Sequence, residues 1–227
     1  NKLTFKSFPF NELYRRSDSE YTKPNQYITI WKYLIYSAVC KQMIRNNSVD
    51  TEVRELLSKV FGAEEAIANL RRSVKRWTAT EYELKIAGIG GKIGYSENAT
   101  QSWTDRLDIL EDIILQYSNS STYLIVFDEL DEDYKDIIDI DNYKKYTELL
   151  TSLFKAVQDV RSIFRKHKVY PIVFLRDDIY DILQDPDKNK WTDYKVDLDW
   201  NKESLKNLLA FRISRAEEPA GTSKDFA

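Results

Sequence analysis

The sequence predicts an α/β fold in which a parallel sheet is flanked by helices. Two β-prone apolar runs, residues 123–127 and 169–175, lack the alternation of a half-exposed strand. Such runs are typical of strands that are buried on both faces of a parallel sheet. A long helical pattern that ends near Phe164 separates them, and parallel strands require a crossover of this kind.

The composition supports a globular domain and excludes several classes of protein. Of the 227 residues, 42% are apolar and 31% are charged, which is enough for a core and an ordinary charged surface. The net charge of −3 argues against a broad nucleic-acid-binding surface. No apolar run approaches the roughly 20 residues that cross a bilayer, so we expect no membrane segment. A single Cys and the lack of a signal-peptide pattern fit a reducing compartment, and we expect a cytoplasmic protein.

The first part of the chain is predicted to be a short strand followed by helices. Residues 3–10 read as the strand, and residues 26–45 carry a broad apolar face at helical spacing. Two shorter amphipathic helices, 49–61 and 63–77, are separated at Gly62. We interpret residues 1–48 as the first part of the core and these two helices as the beginning of an insertion.

The rest of the insertion, which we place at 49–103, is predicted to contain a β-hairpin. Apolar and charged residues alternate from Tyr82 to Ile86, and the glycine-rich stretch 88–94 follows. This change of period from helix to strand, followed by turn residues, is typical of a hairpin.

The second part of the core is predicted at 104–216, with a loose polar tail at 217–227. Its elements are predicted from apolar periodicity and from capping residues. They are a helix capped by Thr104 and ending near Tyr117, the strand 123–127, a long helix ending at Phe164, the strand 169–175, a short helix 179–183, an alternating strand 194–200, and a helix 204–213 capped by Asn201.

Charged residues follow the two apolar strands at the points where those strands end. Asp128 and Glu129 come directly after the first strand, and Arg176 comes directly after the second. Ligands of open parallel sheets gather at the carboxyl ends of the strands. Asp128 is a suitable ligand for Mg²⁺, Glu129 a suitable general base for water, and Arg176 a suitable partner for a transferred phosphoryl group. The alternative is an acidic loop in solvent that pairs with the arginine.

Two motifs resemble a known family. Leu-Ile-Val-Phe-Asp-Glu at 124–129 resembles the Walker B motif of P-loop NTPases, and Val-Phe-Leu-Arg-Asp-Asp-Ile-Tyr at 173–180 resembles the sensor strand of their signalling branch, the STAND and KAP-like ATPases. The stretches 188–190, 196–200 and 211–213 are also similar to bacterial ATPases of this kind. The resemblance covers 120–213, and 1–45 more loosely.

The resemblance implies a fold, cofactors and residue roles. The fold would be a P-loop NTPase-like parallel sheet flanked by helices, with the helical and β-hairpin segment as an insertion. ATP and Mg²⁺ would bind at the strand ends, where Asp128 would hold the metal, Glu129 would be catalytic, and Arg176 would contact the γ-phosphate and act in catalysis. Slow hydrolysis would serve as a switch in a bacterial signalling or antiviral defence protein. A homo-oligomer and a protein partner or effector domain are expected.

One family motif is missing from the sequence. No G-x-x-x-x-G-K-[ST] pattern occurs, although that loop cradles phosphates with backbone N–H groups. The stretch 88–94 has glycines and Lys92, but Ile93 follows the lysine and no strand-loop-helix context surrounds it. We therefore interpret it as a hairpin turn and expect the P-loop strand to precede residue 1.

Two other functions remain open from the sequence. Asp128, Glu129 and Asp131 fit a metal-dependent phosphoryl-transfer enzyme, such as a nuclease with two metal ions. The same fold without catalysis would be a protein-interaction module. Metal-dependent cleavage of nucleic acid without ATP would identify the first, and loss of nucleotide binding would favour the second.

Overall fold

The computed structural model describes the backbone of residues 2–4, 25–61, 87–89, 92–94, 103–131 and 140–217. Our predictions for the strand beyond Thr4, for the helix at 63–77, for the alternating residues 82–86 and for the tail from 218 lie outside these residues. The chain divides into two compact units, residues 1–188 and 189–227, and each is described by itself.

Helices make up most of the described chain. None of those in the described ranges is both long enough and apolar enough to cross a membrane. In chain order the elements are β1 (Lys2–Thr4), a 3₁₀ turn (Asn25–Tyr27), α1 (Ile28–Ile44), α2 (Thr51–Phe61), β2 (Ala87–Ile89), β3 (Lys92–Gly94), α3 (Trp103–Tyr117), β4 (Tyr123–Asp128), α4 (Ile140–Ile163), β5 (Val169–Val173), α5 (Asp177–Ile182), α6 (Lys188–Thr192) and α7 (Lys202–Glu217).

The predicted parallel sheet is present among the described residues as three strands in the order β1-β4-β5. Both pairings are parallel, and β4 is the central strand. Parallel neighbours need long crossovers, and α4 supplies the one between β4 and β5. The α/β class is therefore confirmed at the level of a small parallel sheet flanked by helices.

The helix α1 forms the centre of the core. It is apolar on nearly every side, as is typical of a helix that is surrounded by other elements. Trp31 has no exposed surface, contacts the ring of Phe127 edge-on at 5.8 Å, and donates its indole N–H to the carbonyl of Leu149 at 3.0 Å. This one side chain therefore joins α1 to both β4 and α4.

Further contacts of α1 hold α3 and the end of α4. The ring of Tyr36 meets Phe164 edge-on at 5.4 Å, and its hydroxyl donates to the carboxylate of Glu111 at 2.7 Å. Burial and the bond to Glu111 raise the pKa of Tyr36. Cys40 is also fully buried, and burial raises the pKa of its thiol to about 12, which fits the packing role expected for it.

The predicted hairpin in the insertion is confirmed. β2 and β3 pair antiparallel, with Gly88 opposite Ile93 and Ile89 opposite Lys92. The helix α2 is confirmed as well, and its buried residues Val53, Leu57 and Phe61 recur at the spacing of one helix face.

Two details of the sequence-based prediction are wrong within the first unit. The strands β4 and β5 are buried on one face only, because alternate residues such as Leu124, Tyr170 and Ile172 are exposed. On the buried face, the ring of Trp31 from α1 contacts Phe127. Thr104 is not an N-cap, because α3 begins at Trp103.

The second unit contains the end of α6, an extended segment and α7. Residues 195–200 form no strand, contrary to the prediction for 194–200, because no other described strand pairs with them. The helix α7 is confirmed, and so is its cap. The side-chain oxygen of Asn201 accepts the backbone N–H of Ser204 at 2.7 Å, which satisfies one of the free donors at a helix start.

Candidate functional site at the carboxyl edge of the sheet

The three strands of the sheet end at the same edge. Thr4 is opposite Asp128 in the β1-β4 pair, and Phe127 is opposite Val173 in the β4-β5 pair. The pairing continues one residue further, because the N–H of Phe174 donates to the carbonyl of Phe127 at 2.9 Å. The prediction that Asp128 and Arg176 follow neighbouring parallel strands is therefore confirmed.

Asp128 and Glu129 lie at the turn that follows the central strand. Both side chains are partly buried, and the backbone N–H of Glu129 donates to Oδ1 of Asp128 at 2.9 Å. Glu129 has a φ of 62°, a left-handed value that is uncommon for a residue with a Cβ atom. Such strain is often found at functional sites, although Lys168 shows that tight turns elsewhere in this chain also adopt it.

The loop after Glu129 is fixed to the core by its next residue. Leu130 is buried, and its carbonyl accepts the hydroxyl of Tyr146 at 3.1 Å. Tyr146 belongs to α4 and is fully buried. The short segment Asp128–Asp131 thus leaves β4, turns sharply and is held against α4, so its carboxylates occupy defined positions.

Arg176 is held by two carboxylates at the end of β5. It donates through Nε and Nη2 to both oxygens of Asp178, at 3.1 and 2.7 Å, and its Nη1 lies 3.6 Å from Oδ2 of Asp131. A bidentate pair of this kind fixes the plane of the guanidinium. The contact with Asp131 joins the loop after β4 to the end of β5.

Hydrogen bonding within this pair changes the pKa values of both partners. The bond to Arg176 lowers the pKa of Asp178, and the bond to Asp178 raises the pKa of Arg176. Both side chains are about half exposed, so solvent weakens the pair. The guanidinium is therefore charged and oriented, yet it remains accessible to an anion.

The side chains of Asp128 and Arg176 are chemically suited to bind a nucleotide together with Mg²⁺. A carboxylate at the end of the central strand suits Mg²⁺, which prefers oxygen ligands and keeps several waters or phosphate oxygens. An accessible arginine on the neighbouring strand suits a phosphate group. A phosphate that reached Arg176 would compete with Asp178 and Asp131 for the same N–H groups.

The glycine-rich stretch 88–94 does not supply a phosphate-binding loop. Gly88 and Lys92 lie on the paired strands of the β2-β3 hairpin rather than between a strand and a helix. The stretch therefore belongs to a hairpin, as predicted, but it contains both strands and not only the turn, and the described residues provide no substitute for the missing motif.

Two observations on the described residues concern the alternative of a site with two metal ions. Within the described ranges, no group of three or more His, Cys, Asp or Glu side chains is arranged to hold a metal ion. Asp131, which that alternative needs beside Asp128 and Glu129, lies against Arg176 instead. The position of Asp131 therefore favours an arginine contact over a second metal ion.

A serine and histidine pair elsewhere in the chain is structural. Ser118 Oγ lies 3.2 Å from Nδ1 of His167, but Ser118 has no exposed surface. The carbonyl of Ser118 accepts the hydroxyl of Tyr123 at 2.8 Å. These contacts tie the end of α3 to the starts of β4 and β5, on the edge opposite to the candidate site.

Sequence reasoning missed the partner that orients Arg176. Asp178 follows the arginine at a spacing of two, at the start of the short helix α5. An Arg-x-Asp sequence at a strand-to-helix turn is a usable signal, because the extended residue before the helix lets the arginine fold back on the first helical turn. The anchoring of Leu130 by Tyr146 has no comparable signal, since the two residues meet only through packing.

No protein-family model, no curated protein and no solved structure matches the chain. The likeness to P-loop ATPases therefore rests on the motifs at 124–129 and 173–180 and on their positions at neighbouring strand ends. The fold is shown only as α/β with a small parallel sheet.

Proposed function

We propose that this chain is part of a P-loop ATPase of the STAND or KAP-like kind, which binds ATP with Mg²⁺ at the carboxyl edge of the β1-β4-β5 sheet. Slow hydrolysis would act as a regulatory switch in a larger bacterial signalling or defence protein. The observation that carries this proposal is the juxtaposition at one sheet edge. Asp128 ends the central strand, Arg176 follows its parallel neighbour, and Asp131 joins the two.

Each residue has a role that follows from its position. Asp128 holds Mg²⁺ through a carboxylate that the N–H of Glu129 orients. Glu129 accepts the proton of the attacking water as general base. Arg176 offers its fixed guanidinium to the γ-phosphate and stabilises the negative charge that develops there. The bound magnesium supplies charge neutralisation for the phosphates.

The carboxylates around Arg176 give the switch a physical basis. Arg176 pairs with Asp178 on α5 and with Asp131 on the loop after β4. A γ-phosphate that recruits the arginine releases both carboxylates, and its loss on hydrolysis restores the pairs. Nucleotide state is thereby coupled to the position of α5, because the ligand interacts differently with the two arrangements.

The phosphate cradle would come from a strand and glycine-rich loop outside residues 1–227. For this reason the test uses the full gene product. Calorimetric titration with Mg-ATP should give saturable binding in the parent protein. Asp128→Asn and Arg176→Ala should each weaken that binding by about tenfold or more, because each removes charge-assisted contacts to the ligand.

Two control variants carry the same chemical changes away from the site. Arg165→Ala removes an exposed arginine before β5, at the opposite end of that strand, and Asp112→Asn removes an exposed carboxylate on α3. Both should bind Mg-ATP like the parent. Failure of the parent to bind nucleotide, or equal binding by all five proteins, would refute the proposal.

A further inference from the structure

A lysine on α4 holds the turn that follows α5. Nζ of Lys155 lies 3.1 Å from Oδ2 of Asp185 and donates to Oδ1 of Asn25, also at 3.1 Å. The side chains of Lys155 and Asp185 are only 19% and 3% exposed. The other oxygen of Asp185 accepts the backbone N–H of Asp187 at 2.9 Å. The turn is therefore fixed to α4 through a buried carboxylate, and we call the contact between Lys155 and Asp185 the anchor bridge.

Burial increases along α5 and the residues on either side of it. Residues 176–178 are exposed, whereas Ile179 and Leu183 are buried. The ring of Tyr180 meets Phe154 of α4 edge-on at 5.7 Å. Phe154 directly precedes the lysine of the anchor bridge, so one turn of α4 holds both the middle of α5 and the turn that follows it.

The two ends of α5 are held by ion pairs of different strength. The pair of Arg176 with Asp178 is about half exposed, and exposed pairs contribute little to stability. Loss of one partner from a buried pair leaves an uncompensated charge and is strongly destabilising. An anion that competes for Arg176 therefore releases the first end of α5 before it disturbs the anchor bridge.

We propose that Lys155 and Asp185 are positioning residues for Arg176, because the anchor bridge fixes the far end of α5 and nucleotide moves only the end that carries the arginine. As regulation of the same nucleotide site, this role rests on the proposed function. When Arg176 turns to the γ-phosphate, α5 pivots about the anchor bridge instead of detaching from α4. A fixed pivot keeps the guanidinium within reach of the ligand and returns it to the same carboxylates when phosphate leaves.

Hydrogen exchange in the full gene product without nucleotide tests the anchoring. The N–H groups of Ile179 and Tyr180 donate to the carbonyl of Arg176, at 3.1 and 2.9 Å, and report the opening of α5. Asp185→Asn keeps an oxygen for the N–H of Asp187 but removes the charge pair, so these amides should exchange about tenfold faster. Arg176→Ala should change their exchange by less than about twofold. Unchanged exchange in Asp185→Asn, or a larger change in Arg176→Ala, would overturn the proposal.

A second variant keeps the test valid if one unpaired charge prevents folding. Lys155→Met together with Asp185→Asn removes both charges of the anchor bridge, so the chain should stay folded by circular dichroism while the same amides exchange faster. Two matched controls should exchange like the parent: Lys144→Met, at an exposed lysine on the same helix, and Asp112→Asn, at an exposed carboxylate on α3. Equally fast exchange in the controls would contradict a specific anchoring role.

Calorimetric titrations with Mg-ATP and Mg-ADP separate a positioning role from a purely structural one. Asp185→Asn should weaken Mg-ATP binding by about fivefold and leave Mg-ADP binding unchanged, because only ATP carries the γ-phosphate that Arg176 contacts. In the Arg176→Ala background, Asp185→Asn should have no further effect. Equal weakening for both nucleotides, or an effect that adds to that of Arg176→Ala, would refute the positioning role. A parent that binds neither nucleotide would refute the proposed function instead, and hydrogen exchange still decides whether the anchor bridge fixes α5.

Discussion

Residues 123–127 and 194–200 were both predicted as strands, the first from a continuous apolar run and the second from an alternating one, and the structure places them in different environments. In β4 the residues Tyr123, Ile125 and Phe127 are buried, and two parallel neighbours complete its hydrogen bonds. In the segment 194–200 every residue is exposed, and no described strand pairs with it. Local pattern therefore predicts an extended chain, whereas pairing is decided by elements that are distant in sequence.

The two faces of the sheet show the same contrast on a smaller scale. One face of β4 and β5 is buried, and Trp31 of α1 packs on it through Phe127. On the other face Leu124, Tyr170 and Ile172 are 45%, 44% and 37% exposed. Continuous apolar runs predicted burial on both faces, and the described residues provide it on one.

The largest expected effect is a difference in stability between a variant at a buried tryptophan and a variant at an exposed one. Trp31→Ala removes a fully buried ring and its hydrogen bond to Leu149, so we expect the free energy of unfolding to fall by about 3–5 kcal/mol. Trp200→Ala, at an exposed site, should change it by less than about 0.5 kcal/mol. Urea denaturation of the first variant and of the matched control measures the difference.

Equal destabilisation by the two substitutions would mean that Trp200 is buried in the monomer. The contrast between β4 and the segment 194–200 would then disappear, because both would pack within a single chain.

A smaller effect is expected at the start of α7, where the segment 194–200 ends. Asn201→Ala removes the oxygen that accepts the N–H of Ser204, and a lost N-cap costs about 0.5–2 kcal/mol. Asn201→Ser keeps an acceptor and should cost little. Hydrogen exchange of the first-turn amides of α7 measures the change, and unaltered exchange in the alanine variant would show that the cap does not hold the helix.

The smallest effect concerns the exposed pair of Arg176 and Asp178. Because the pair lowers the pKa of Asp178 in the folded protein, its stabilisation is present above the ordinary carboxyl pKa of about 3.9. It is lost as the pH falls through the lowered value. The difference in stability between the parent and Arg176→Ala should therefore vanish in acid.

Carboxyl NMR titration tests the same pair directly. The midpoint of Asp178 should rise in Arg176→Ala and should stay where it is in Arg165→Ala. A midpoint that does not move in the first variant would show that the bidentate pair does not persist in solution.

Much of the fold was predictable because local patterns determined it. The helices α1, α2, α4 and α7 and the hairpin follow from periodicity and turn residues, and Asn201 was recognised as a cap. Thr104 was assigned wrongly because helix boundaries depend on one turn of backbone that neighbouring contacts also influence. Residues 194–200 were predicted wrongly as a strand because periodicity does not specify whether another strand lies alongside.

The positions of Asp128 and Arg176 in the candidate site were also predictable from the sequence. Asp128 and Arg176 were placed at one edge because parallel strands end together, and the register bears this out. The contact of Arg176 with Asp131 agrees with the alternative that the acidic loop pairs with the arginine, whereas the bidentate partner Asp178 was not predicted. The bidentate pair depends on side-chain geometry at a strand-to-helix turn. The roles assigned to these residues stay predictions.

Hydrolysis of ATP by the full gene product tests the central proposal most directly. Glu129→Gln removes the general base but keeps the size of the side chain and its backbone turn. We predict that this variant binds Mg-ATP like the parent while its rate of phosphate release at saturation falls by about a hundredfold or more. A variant that releases phosphate at the parent rate, or a parent that releases none, would contradict the account.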